Sequence, residues 1–123
     1  MKLGIVGSRD FWDYNLAERI IDNFRNKFDV EKIVSGGAKG ADSMGSQYAA
    51  KHRIDIIIHH PNWDKYGRKA GFLRNKLIVD DSDIVIAFWD GVSHGTKHTI
   101  NICKENHKPV IIIDYKKNTV KKE

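Results

Sequence analysis

Five short apolar runs, the first four each followed by a stretch with helical spacing, set the strongest limit on how this chain folds. Leu3-Gly4-Ile5-Val6, Val30 to Ser35, Ile54 to Ile58, Asp83 to Trp89 and Pro109 to Asp114 show little of the polar alternation of a half-exposed strand. Strands of that kind are buried on both faces, which means a parallel sheet covered by helices on each side. The helices follow from i, i+4 spacing. Leu16, Ile20, Phe24 and Phe28 come after a cap at Asn15, and Ala41, Met44, Tyr48, Ala49 and His52 make a second helix. Ala70, Leu73 and Leu77 give a third, and Thr96 to Glu105 holds a fourth with Ile100 and Cys103 inward. Right-handed crossovers then produce an α/β fold, a Rossmann-like doubly wound parallel sheet of about five strands. One domain is expected over residues 1–115, followed by a frayed basic tail at 116–123 that carries Lys116, Lys117, Lys121 and Lys122.

The net charge of +5 fits an anionic partner, although solvated lysines account for such an excess equally well. A single cysteine, Cys103, excludes an internal disulfide and fits a reducing compartment. No signal-peptide pattern follows Lys2, and no apolar run approaches the roughly 20 residues of a membrane span. A cytoplasmic protein without a membrane partner is the expectation.

In a doubly wound sheet the ligand crevice lies beyond the carboxyl ends of the strands. The distinctive loops of this chain fall there. Ser35-Gly36-Gly37-Ala38-Lys39-Gly40-Ala41-Asp42 runs from a strand through glycines into a helix start, which presents backbone N–H groups to an anion. Gly36 and Gly37 are expected to take positive φ and to let a ligand approach the backbone. A merely tight strand-to-helix turn is the competing account. Asp42 either caps the helix or accepts hydrogen bonds from a ribose. Gly91-Val92-Ser93-His94-Gly95-Thr96 is a second loop of the same design, with Ser93 and Thr96 as phosphate-binding hydroxyls and Asp90 as a sugar ligand or loop cap.

Around these loops, Gly7-Ser8-Arg9 brings a hydroxyl and a guanidinium to the end of the first strand. Trp63 and Tyr66 form either an aromatic lid over a base or part of the core. Arg74 and Asn75 lie on the third helix, where Arg74 is next to Leu73 and leans toward the crevice or lies on a solvated face. His94 and His98 have an i, i+4 spacing that metal ligands use, but no third ligand follows. No metal, no Walker lysine and no GxGxxG cofactor fingerprint is indicated.

Gly7-Ser8-Arg9-Asp10-Phe11, Ser35 to Asp42, Ala70-Gly71-Phe72-Leu73-Arg74-Asn75 and Ala87-Phe88-Trp89-Asp90-Gly91…Gly95-Thr96 occur in that order. Together they resemble the YspA-type branch of the SLOG superfamily, to which the Smf/DprA and LOG (Lonely guy) proteins are related. The resemblance implies a Rossmann-like fold that binds nucleotides or nucleotide-derived sugars, ADP-ribose-like ligands among them, as a sensor or sequestering module. It also implies a homodimer or higher homo-oligomer. LOG enzymes cleave nucleoside 5′-monophosphates with an arginine, which Arg74 matches, and a glutamate in Gly-Gly-x-Gly-Thr-x-x-Glu. Thr99 stands at that glutamate's place, so a LOG-type N-glycosidic hydrolase would have to recruit Asp42 or Asp90 beside Arg74. The Ser35 to Asp42 stretch is also similar to the corresponding motif of DprA, which binds single-stranded DNA. Against a strand of phosphates at this edge stand Asp10, Asp13, Asp42, Asp64 and Asp90.

Overall fold

The computed structural model describes residues 1–123. Its strands are β1 (Lys2–Gly7), β2 (Lys32–Ser35), β3 (Asp55–Ile58), β4 (Ile84–Trp89), β5 (Val110–Asp114) and β6 (Thr119–Lys122). The helices are α1 (Tyr14–Arg25), α2 (Ala41–His52), the short α3 (Trp63–Tyr66), α4 (Ala70–Asp81) and α5 (His94–Glu105). Strand order is β3-β2-β1-β4-β5-β6, parallel throughout except for β6, which pairs antiparallel with β5. The order reverses between β1 and β4, so the two strands diverge into different crossovers and open a crevice at their carboxyl ends.

The doubly buried strands split their side chains between two cores, as their period of two requires. Leu3, Ile5, Ile33, Ile86 and Phe88 join a cluster with Ala17 and Ile21 of α1 and Met44 and Tyr48 of α2. Val6, Val34, Val85, Ala87 and Ile112 face the other way, onto Ile78 and Val79 of α4 and Ile100 and Cys103 of α5. Cys103 is fully buried there, and burial pushes its thiol up to about 11.

Three expectations need correction. The basic tail is not frayed: Thr119–Lys122 forms β6, with Lys121 opposite Ile112 and Val120 opposite Ile113. The cap of α1 is Asp13, whose Oδ1 accepts the Leu16 N–H at 3.1 Å, and Phe28 lies beyond the helix end, largely exposed. On α4 the core face is Ala70, Asn75, Ile78 and Val79, while Leu73 and Leu77 are 44% and 50% exposed. That helix is apolar around most of its circumference, so spacing alone selects no face. No helix is long and apolar enough to cross a membrane.

Candidate functional site

The crevice between β1 and β4 is a cleft of about 390 Å3. Two helix N-termini open onto it, through Ala38 and Asp42 ahead of and within the first turn of α2, and through Ser93 to Thr96 at the start of α5. Neither helix has a side chain capping its first turn, so the positive ends of both dipoles face the cleft. Val6 and Ile78 supply an apolar floor, and Arg9, Arg74, Asn75, Asp90 and Thr99 complete the wall. A second cleft, of about 480 Å3, shares Arg9, Ala38 and Arg74 with the first and extends over Gly36, Gly37, Lys39, His60 and Trp63.

Arg74 does reach the crevice, but because α4 turns this face inward, not because it neighbours a core leucine. Its Nη1 donates to Gly36 O at 2.7 Å, and its Nε donates to Asn75 Oδ1 at 3.0 Å. Asn75, only 7% exposed, turns its amide nitrogen toward Gly95 O at 3.4 Å and His98 Nδ1 at 3.3 Å. One buried amide thus ties the arginine to the start of α5. Both ends of Asn75 are engaged by protein, and its Oδ1 fixes the direction of the Arg74 guanidinium.

Asp42 is buried, 5% exposed, with Oδ2 accepting the Ala38 N–H at 3.2 Å. Burial pushes its carboxyl up to about 6, against hydrogen bonds from Ala38 and Gly36 and the charges of Arg74 and Arg9. Asp90 behaves in the opposite way. Burial alone would raise it, but the N–H groups of Val92 and Ser93 and the Ser93 hydroxyl outweigh that and hold it below the usual carboxylate range. Its oxygens accept Val92 N–H at 2.9 Å, Ser93 N–H at 2.7 Å and Ser93 Oγ at 2.9 Å. Of the two roles open to Asp90, the structure shows loop cap, and Ser93 spends its hydroxyl proton on that cap.

The remaining residues sort by position. Ser8 is 2% exposed and accepts the Asp90 N–H at 3.1 Å, which locks the first loop to the β4 loop. Phe11 anchors that loop by stacking on Phe88 at 4.7 Å. Ser35 is fully buried and donates to Asp42 O at 3.2 Å. Gly7 and Thr96 line the first cleft. Gly37 takes φ of 70°, and so does Gly40 at 72°, whereas Gly36 does not. At Gly36 a Cβ would lie 2.6 Å from Arg74 Nη1 and 2.8 Å from Asp42 Oδ2, so a side chain there would push both groups out of their present positions. Gly91 shapes its loop with φ of 89°. Trp63 lines the second cleft, but Tyr66, 44% exposed under the Lys65 ammonium, lines neither. Ile78 joins the floor although the i, i+4 spacing of α4 points to Leu73 and Leu77 as the inward residues. Thr99 is 2% exposed, lines the first cleft and gives its hydroxyl to Gly95 O at 3.2 Å. His98 packs tilted against Phe72, with ring centroids 4.4 Å apart, and its Nδ1 is taken up by Asn75.

Strand order, twin helix N-termini and a glycine-lined crevice define a Rossmann-like α/β domain with its cleft at the switch point. The sequence profile of the YspA, cpYpsA-related SLOG family (YAcAr) matches residues 1–66, more than half of the 123 residues, and the chain belongs to that family. Gene 61 protein of Mycobacterium phage D29 is 34% identical over an alignment of 85 residues that covers 64% of this chain and 68% of that one. Among solved structures, DNA processing protein A of Helicobacter pylori, which binds single-stranded DNA, superposes with a TM-score of 0.70 at 20% identity. It covers 91% of this chain and 64% of its own. DprA of Streptococcus pneumoniae gives 0.72 at 21% identity over 90% of this chain and 49% of its own. At such identities the likeness is one of fold, and the chain spans about half to two thirds of those proteins.

Proposed function

We infer that the protein binds a nucleotide or an ADP-ribose-like derivative at the carboxyl edge of the sheet, as a sensor or sequestering module. One observation carries this reading: two uncapped helix N-termini and the Arg74 guanidinium converge on a cleft of small-molecule size. Backbone N–H groups of 36–40 and 93–96 suit a phosphate, except those of Gly36, Ala38 and Ser93, which Asp42 and Asp90 already take, with Arg9 and Arg74 as charge partners. Asp42 suits a ribose hydroxyl, and Trp63 in the adjoining cleft suits the face of a base. Two guanidinium groups against the carboxyls of Asp10, Asp42 and Asp90 favour one ribosyl phosphate here over a nucleic-acid strand.

Arg74→Ala removes a charge-assisted contact of the kind that contributes about 1.5–3 kcal/mol. Calorimetric titration with a nucleotide panel is expected to show affinity falling by about 10- to 100-fold for the ligand that wild type binds. Unchanged affinity rejects the site assignment.

A second reading, an N-glycosidic hydrolase, is favoured by the buried Asp42 carboxyl, pushed up to about 6 beside Arg74 in the same cleft. Chromatography for free base after incubation with nucleoside monophosphates tests it. Binding without release of base eliminates the enzyme.

Self-association also fits the α4 surface, where Phe72, Leu73 and Leu77 are each at least 44% exposed on the helix that holds Arg74. Sedimentation is expected to show a homo-oligomer that Leu73→Asp/Leu77→Asp dissociates. A wild-type monomer at high concentration would dismiss that face as an interface.

A further inference from the structure

The positive charge of this chain is concentrated away from the nucleotide-type cleft. Residues 97–123 carry seven lysines against Glu105, Asp114 and Glu123, so four of the five net units lie in that segment. Its geometry gathers much of this charge on one groove. Lys97, Asn101 and Lys104 are spaced i, i+4, i+7, which with Ile100 makes one stripe of α5, turned away from the buried Cys103. On β6, the alternation puts Thr119, Lys121 and Glu123 on the same side, and the hairpin turn contributes Lys117. These elements enclose a groove of about 450 Å3 whose apolar lining includes Trp89, Ile100, Ile112 and Val120.

The groove's acidic groups are already engaged. Asp114 Oδ1 accepts the Lys116 and Lys117 N–H groups at 3.1 and 3.0 Å and closes the turn. Glu123 pairs with Lys104 at 2.6 Å and sits 3.8 Å from Lys121. The Trp89 indole is held in place by donating to Ser93 O at 3.0 Å, leaving its ring part of the groove wall.

We propose that this α5–β6 groove is a sequence-nonspecific binding surface for single-stranded nucleic acid, separate from the nucleotide-type cleft. Flexible ammonium groups along two edges match a repeating phosphodiester, and an indole with an apolar floor matches unstacked bases. An acidic peptide would satisfy the lysines but leave the indole and aliphatic floor without a partner.

Fluorescence anisotropy with a labelled single-stranded oligonucleotide, read across a salt series, tests the proposal. Wild type is expected to bind with a log K against log salt slope of about −3, from four lysine–phosphate contacts at roughly 0.7 each. The variant Lys97→Gln/Lys117→Gln/Lys121→Gln should shrink that slope by about 2 and weaken binding at least ~10-fold at low salt. Glu123→Gln, which releases Lys104 and Lys121, should tighten binding, a gain that misfolding cannot produce. Arg9→Ala/Arg74→Ala should leave oligonucleotide binding unchanged. The groove is rejected if wild type does not bind at low salt, if the triple variant keeps the wild-type slope, or if the cleft variant abolishes binding. Equal or tighter binding of a polyglutamate peptide of matched charge would overturn nucleic acid as the occupant.

Discussion

Gly40→Ala is expected to cost on the order of 4 kcal/mol of folding stability, and Gly67→Ala only about 1–2 kcal/mol, although their backbones are nearly alike. Gly40 has φ 72° and ψ −127°, and Gly67 has φ 57° and ψ −132°. Both angles lie where a side chain is strained whatever surrounds it. The difference is what a Cβ would meet. At Gly67 nothing lies within 4 Å, whereas at Gly40 the carbonyl oxygens of Ser8 and Arg9 lie 2.4 Å away. Those atoms are backbone, fixed in part by the Ala41 N–H donating to Ser8 O at 3.2 Å, and they cannot swing aside. Gly40 is therefore where the β1 loop and the start of α2 pack main chain on main chain, and Arg9 owes its place in both clefts to that contact. Urea denaturation of the two variants measures the contrast. Equal costs would mean that the loops separate freely, and the cleft would lose its rigid wall.

How far the sequence reveals this architecture depends on how many constraints act on each segment. The parallel strands were legible because burial on both faces leaves no polar alternation, as in Ile84–Trp89. The edge strand was not. Thr119–Lys122 is exposed along its whole length, and its extended state comes from the free edge of β5 rather than from its own residues. The face of α4 was hidden because Phe72, Leu73, Leu77, Ile78 and Val79 encircle it, and packing against α5 and the sheet selects Ile78 and Val79. At the site, glycine-rich loops at strand ends announced the crevice, since few other purposes bring such loops together at one sheet edge. What they did not announce was which polar groups are already taken. Asp90 and Ser93 satisfy each other, and Asn75 satisfies Arg74, because unpaired buried polar groups are costly. Likewise positive φ fell on Gly37 and Gly40, not Gly36, for reasons set by neighbours distant in sequence.

Asp42→Asn is expected to stabilise the protein at pH 8 by about 1–2 kcal/mol and to leave it unchanged at pH 4. A carboxyl whose pKa rises from 3.8 to about 6 on folding costs about 3 kcal/mol when ionised in the native state. Below pH 4 the carboxyl is protonated whether folded or not, and its contribution to stability is then fully present. Between about pH 4 and 6 the unfolded chain releases the proton and the native chain holds it. Stability contributed by this group therefore falls as pH rises through that window and is flat above it. Asparagine mimics the protonated form and keeps an acceptor for the Ala38 N–H, so part of the cost is recovered and the pH dependence is lost. Thermal unfolding of wild type and variant across pH 4 to 8 reads this directly. A variant no more stable than wild type at pH 8 would show that Arg74 and Arg9 already compensate the buried charge. If the gain appears and nucleotide affinity falls in the same variant, the carboxylate is maintained against the fold's own stability for the ligand. That pairing of outcomes is what a carboxylate kept for a ligand produces, whereas a gain in stability with unchanged affinity would leave Asp42 a structural role alone.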